Sequence, residues 1–223
     1  MLVIRDLNVI AYDEALALQR QTVKRLQAGE GGEVLYLLEH PHVITLGRNA
    51  ATGSLLANTD VLRSKDVTVV ETDRGGDITY HGPGQLVGYP ILALEEGRRD
   101  IRRYVTDLEE VLLQTLAEFG IEGRRDPVHR GVWVDNRKIA SVGIRISRWV
   151  ASHGFALNVN TDLTYFSLIH PCGIVGCPMT SIAQERGSAI DMQIVKGVFA
   201  DRFAAVFGRE VASEPAARSV ARV

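Results

Sequence analysis

Cysteine is nearly missing from this 223-residue sequence, which holds two, Cys172 and Cys177. Two thiols cannot build the cross-linked framework of a small secreted scaffold. Met1 to Asp6 contains no basic segment leading into an apolar run, so no secretory signal is expected. The expectation is reduced thiols and a cytoplasmic location. No apolar stretch approaches the roughly 20 residues of a membrane span, which argues against a membrane partner. An excess of one charge is lacking too: 25 Lys and Arg oppose 27 Asp and Glu, for a net charge of -2. Without a basic stripe interleaved with aromatics, nothing recommends nucleic acid as a partner. Repeats and low-complexity linkers are also missing.

What is present is the mixture of a globular protein, 46% hydrophobic and 23% charged. A chain of this length supports one well-buried core, so a single domain over residues 1–210 is expected, with a loosely ordered tail over 211–223. A helix opens near Asp13 as N-cap, with Ala15, Leu16, Leu18, Val23 and Leu26 at helical spacing, and stops at Gly29 and Gly31. Residues 33–39 and 43–46 read as strands around the turn His40-Pro41-His42, and Val67 to Glu71 as a third. From Asp100 to Phe119 an apolar stripe predicts a long helix ended by Gly120. Val132 to Val134 and Ile139 to Ile146 flank a polar turn at 135–138, Phe155 to Val159 continues the strand signal, and a last helix runs from about Ile190 to Phe207. The mixture predicts an α/β or α+β fold.

Three places could carry chemistry. The segment Arg74-Gly75-Gly76-Asp77-Ile78-Thr79-Tyr80-His81-Gly82-Pro83-Gly84-Gln85 is either a tight structural turn or a loop whose bare backbone approaches a ligand. It has neither the Lys-Ser/Thr end of a phosphate-binding loop nor the Gly-x-Gly-x-x-Gly spacing of a dinucleotide turn. Cys172, in His170-Pro171-Cys172-Gly173, is either an inert buried thiol or a nucleophile with open space beside its sulfur. A zinc site on Cys172, Cys177 and His170 is disfavoured by the lack of a second cysteine pair. Lys138 falls in the polar turn, where a lysine is ordinarily solvated. It gains a role only beside Cys172, where an ammonium favours the thiolate and a neutral amine accepts protons. His81 and His153 are the remaining candidate bases.

Taken together, residues 74–85, Arg-Lys-Ile-Ala-Ser-Val-Gly at 137–143 and Pro-Cys-Gly at 171–173 resemble the lipoyl(octanoyl) transferase family in content, order and spacing. The resemblance runs from the first helix to about Phe207. It implies a mixed sheet flanked by helices, the fold shared with biotin and lipoate protein ligases. It also implies an acyltransferase that uses no cofactor and no metal. The donor would be octanoyl-acyl carrier protein. The acceptors would be lysines in the lipoyl domains of 2-oxoacid dehydrogenase E2 subunits and in glycine cleavage H protein. Position by position, Cys172 matches the family's thioester-forming cysteine and Lys138 the lysine that activates it. Arg74, Gly75, Gly76, Asp77, Ile78, Thr79, Tyr80 and His81 match substrate-pocket positions, as do Ser141, Val142, Gly143, Gly154, Phe155 and Ala156. Two other readings stay open: an ATP-dependent ligase that needs no cysteine nucleophile, and a module that binds an acyl ligand or lipoyl domain without catalysis.

Overall fold

The structure is a computed structural model that describes residues 1–212; the tail expected to be loose over 211–223 lies, from Ser213 on, outside the described residues. The chain runs β1 (Leu2–Val9), α1 (Tyr12–Gln27), β2 (Glu33–Glu39), β3 (Val43–Leu46), α2 (Thr59–Ser64), β4 (Thr68–Glu71), β5 (Ile78–His81) and β6 (Gln85–Ile91). It continues through α3 (Ile101–Glu118), β7 (Arg124–Arg125), β8 (Val132–Val134), β9 (Arg137–Ser147), β10 (Val150–Asn158), α4 (Ile182–Arg186) and α5 (Met192–Phe207).

Two mixed sheets result. Seven strands follow the order β1-β2-β6-β10-β9-β8-β7, and three follow β4-β3-β5. In each, one parallel pair, β1 with β2 and β3 with β4, joins otherwise antiparallel neighbours. β10 shows how the large sheet fills both its faces. Leu157 and Phe155 point to the side covered by α3 and α5, among Leu108, Leu112, Phe199 and Phe203. Ala156 between them points to the side covered by α1, with Ala15, Leu38 and Tyr89. The period of two distributes one strand between two cores.

α3 follows its sequence signature closely. The Asp100 carboxylate caps it by accepting from the amides of Arg102 and Arg103, and Leu108, Val111, Leu112 and Leu116 bury its apolar stripe. α1 has a different start from the expected one. Its N-cap is Ala11, with no side-chain cap, and Asp13 sits in the first turn, where its charge complements the helix dipole. β2 and β3 have the expected bounds but do not form a hairpin, because the chain crosses from one sheet to the other at His40-Pro41-His42. β5 and β6 do the same across residues 82–84, so the glycine-rich segment spans the junction of the two sheets. Among the described residues, no helix is long and apolar enough to cross a membrane.

Candidate active site

Lys138 is not the solvated turn residue that the local sequence suggests. The turn shrinks to Asp135 and Asn136, and Lys138 lies inside β9 with only 1% of its surface exposed. A β-bulge explains where its side chain goes. Val132 pairs with Ala140 but Trp133 with Lys138, so Ile139 is an extra residue that re-aims the lysine. The ammonium lies 5.3 Å from the centre of the Trp133 ring. Its stem passes Gly131, whose φ of 114° belongs to glycine and where a Cβ would meet Ala140 O and lie 2.9 Å from Lys138 Cε. The Gly131 amide is held in turn by the buried Glu109 carboxylate at 2.9 Å.

Cys172 reaches the same point from the other side. It is the middle residue of a 3-10 turn over Pro171–Gly173, in the left-handed region at φ 57° and ψ 25°. For a residue with a Cβ this conformation costs about 1–2 kcal/mol, so the surroundings must impose it. Lys138 Nζ donates to Cys172 Sγ at 3.1 Å. The segment after the cysteine docks onto β9: Lys138 N donates to Pro178 O at 2.8 Å, and Thr180 N to Lys138 O at 2.9 Å. Cys177 is a separate, half-buried thiol, pushed up from its ordinary pKa by burial. Among the described residues, no cluster of three or more His, Cys, Asp or Glu could hold a metal ion.

A cavity of about 460 Å³, counting its open mouth, extends from Cys172 between the glycine-rich segment and the β9–β10 ladder. Its wall contains Arg74, Gly76, Asp77, Thr79, His81, Ser141, Val142, Gly143, Gly154, Phe155 and Ala156. The other matched positions lie elsewhere. Alternation along β5 turns Thr79 and His81 to the cavity and buries Ile78 and Tyr80 in the core of the small sheet, with Phe166 and Leu168. Tyr80 OH lies 2.7 Å from His42 Nδ1. Gly75 ties the segment to β9 by donating its N–H to Ile144 O at 2.8 Å.

Arg74 is buried, and Thr45 O at 2.7 Å, Thr45 Oγ1 at 2.9 Å and Gly75 O at 3.1 Å accept its N–H groups. Burial lowers its pKa from the ordinary value. Burial also brings His81 down to about 3 and His40 to about 4, which leaves both imidazoles neutral at pH 7. His81 Nδ1 lies 2.8 Å from Gln85 Oε1, while Gln85 Nε2 donates to Tyr80 O and Asn158 Oδ1. His81 therefore carries its proton on Nδ1. From there Asn158 Nδ2 donates to Thr180 O at 3.0 Å, so one buried network links the glycine-rich segment to the segment docked beside Lys138.

Tyr12 and Tyr89 complete the apolar wall, and sequence reasoning missed both because each lies far along the chain in an unremarkable helix or strand. Gln85 was visible as the last residue of its motif.

The model of the lipoyl protein ligase A/B catalytic domain family matches residues 11–204. The chain belongs to this family. Relatives within it include an octanoyltransferase of Solibacter usitatus, 49% identical over 208 residues, covering 93% of this chain and 94% of that one. An octanoyltransferase of Syntrophotalea carbinolica is 51% identical over 193 residues, covering 86% and 88%. The family's fold is also that of solved ligases. A lipoate-protein ligase A bound with ATP superimposes with a TM-score of 0.77 at 14% identity, over 96% of this chain and 89% of that one. The biotin protein ligase of Aquifex aeolicus gives 0.51 at 13% identity, over 93% and 68%.

Proposed function

We propose that this protein is an octanoyltransferase that passes its acyl group through a thioester on Cys172 to a lysine of a lipoyl domain. The observation that carries the reading is the 3.1 Å hydrogen bond from Lys138 Nζ to Cys172 Sγ at the end of a largely apolar cavity. A ligase has no need for a thiol there, and the octanoyltransferase relatives supply the acyl group the cavity would take.

The cycle uses this chain's own groups. With the Lys138 ammonium beside it, the Cys172 thiolate attacks the thioester carbonyl of octanoyl-acyl carrier protein. The new Sγ–C bond forms, the donor's C–S bond breaks, and the departing thiolate takes a proton from Lys138. The neutral Lys138 amine then accepts a proton from the acceptor lysine as that amine attacks the acyl-enzyme. A C–N bond forms, the Sγ–C bond breaks, and Cys172 leaves as thiolate beside a restored ammonium. Amide formation from a thioester drives the transfer without ATP. Thr79, Tyr89 and Ala156 flank the acyl chain, and residues 1–210 act as one catalytic unit. The acceptors are the lipoyl domains of 2-oxoacid dehydrogenases and glycine cleavage H protein.

Intact-protein mass spectrometry after incubation with octanoyl-acyl carrier protein, without ATP or acceptor, tests this. Wild type gains one octanoyl group, which hydroxylamine removes. Cys172→Ser gains none, and Lys138→Ala gains it at least tenfold more slowly. Transfer that requires ATP and survives Cys172→Ser would overturn the reading in favour of a ligase.

A further inference from the structure

The far end of the acyl cavity is built differently from its mouth. Three successive rungs of the β9–β10 ladder line it, Ser141 with Ala156, Val142 with Phe155 and Gly143 with Gly154. On the face towards α1 these rungs present small residues. The fourth rung pairs Ile144 with His153, and there the small-residue floor ends. His153 lines the acyl cavity and also a second, solvent-open cavity of about 850 Å³ counting its mouth, bounded by Leu16 and Val23 together with Gln19, Arg20, Lys24 and Arg148. One imidazole is thus part of the wall between them.

That imidazole is held in place against its own preference. His153 is a strand residue at φ 55°, the left-handed region. Its N–H donates to Gln19 Oε1 at 2.8 Å, and its Nε2 meets Asp73 Oδ1 at 2.8 Å. Arg145 donates to the other Asp73 oxygen. Two polar atoms go unmatched there, His153 Nδ1 and Gln19 Nε2, both buried without a hydrogen-bond partner. The proposed acyl transfer assigns this group no step, so its strain and unpaired atoms call for another role.

We propose that His153 is the end-stop of the acyl cavity and sets the longest chain the enzyme accepts. Ser141 to Ile144 spans three residues, about 10 Å of strand. An extended eight-carbon acyl group, seven carbon–carbon bonds of about 1.5 Å at tetrahedral angles, reaches about 9 Å. A chain laid along this ladder from the Ser141 rung therefore meets His153 at its terminal methyl, and each further pair of carbons must displace a buried imidazole hydrogen-bonded to Asp73. Removing the ring opens the cavity into the second one, where Leu16 and Val23 offer apolar surface to a longer tail.

This inference rests on the acyl-enzyme reading, so its test has two arms. In the first, wild type and His153→Gly compete for an equimolar mixture of octanoyl-, decanoyl- and dodecanoyl-acyl carrier protein, and the adducts on Cys172 are resolved by mass. Glycine suits the φ of this position, and an unchanged circular dichroism spectrum checks the fold. The ratio of dodecanoyl to octanoyl adduct rises at least tenfold in the variant. In the second arm, octanoate and dodecanoate are titrated calorimetrically into Cys172→Ser with and without His153→Gly, a readout that needs no thioester. Relative affinity shifts towards dodecanoate. An unchanged chain-length ratio in folded His153→Gly, in both arms, overturns the end-stop. If no adduct forms but the binding preference shifts, the acyl-enzyme reading falls and the end-stop stands.

Discussion

At the scale of single residues, the site depends on two side chains brought together by backbones that are both unusual. Cys172 occupies a left-handed conformation and Lys138 immediately precedes a bulge, so neither direction can be read from local sequence. Gly131 shows what this costs the neighbours. A Cβ there would be strained at φ 114° and would collide with Ala140 O and the Lys138 stem. Gly131→Ala should destabilise the protein by about 2–4 kcal/mol, the sum of backbone strain and overpacking. Because the lysine stem must move, iodoacetamide should also alkylate Cys172 more slowly than in wild type at pH 7. A urea midpoint and an alkylation rate both equal to wild type would show that Gly131 does not position Lys138. Many residues of the candidate site stand in recognisable motifs, including Cys172, Lys138 and, within the segment 74–81, Arg74, Gly76, Asp77, Thr79 and His81. What spacing could not supply was which of them face the cavity. Ile78 and Tyr80 share a motif with Thr79 and His81, yet the pleat sends them to the other side.

At the scale of elements, legibility followed periodicity. α3 carries a long apolar stripe and α5 is apolar around most of its circumference, and their observed bounds fall within two residues of those read from the sequence. β5 and β6 were hidden because glycine and proline dominate their surroundings, and β1 because its buried and exposed residues do not alternate cleanly. The pairing of elements was not legible at all, since two adjacent strands can share a hairpin or join different sheets. α5 reaches the site through its aromatic row: Phe199 stacks on Phe155 with centroids 4.3 Å apart, and Phe203 stacks on Phe207 at 4.4 Å. Phe155 in turn lines the cavity beside Cys172 from β10. Phe199→Ala removes a fully buried ring and should cost about 3–5 kcal/mol, lowering the melting temperature by roughly 10 °C. Octanoate affinity should fall with it as Phe155 loses its support. A melting temperature within 2 °C of wild type would mean that the core relaxes around the gap.

For the whole molecule, the buried imidazoles couple stability to pH. His40 and His81 sit at ring centroids 5.8 Å apart, and burial lowers their pKa values to about 4 and about 3. In the unfolded chain a histidine titrates near 6.5. Between these values the unfolded state binds protons that the folded state refuses, so the stability these groups hold is complete above about pH 6.5 and is lost as pH falls. At pH 5 each unfolded imidazole is almost fully protonated while its folded counterpart is not, and the pair should remove roughly 4 kcal/mol relative to pH 7.5. His153, also lowered by burial against the opposing pull of Asp73, acts in the same direction. Urea midpoints measured from pH 7.5 to 5.0 should therefore fall steadily, before the carboxylates of Asp6 and Asp73, both held below their ordinary pKa, begin to contribute. His40 Nδ1 contacts Ile10 O, an acceptor, which leaves Nε2 to accept from Tyr89 OH. Protonating His40 would reverse that bond, with Nε2–H donating to the Tyr89 hydroxyl oxygen, and the tyrosine proton would lose its acceptor inside a buried pocket. Since Tyr89 lines the cavity beside Cys172, the proposed octanoate binding should weaken over the same pH range. A flat stability profile down to pH 5 would mean that these imidazoles are already hydrated or charged in the folded protein.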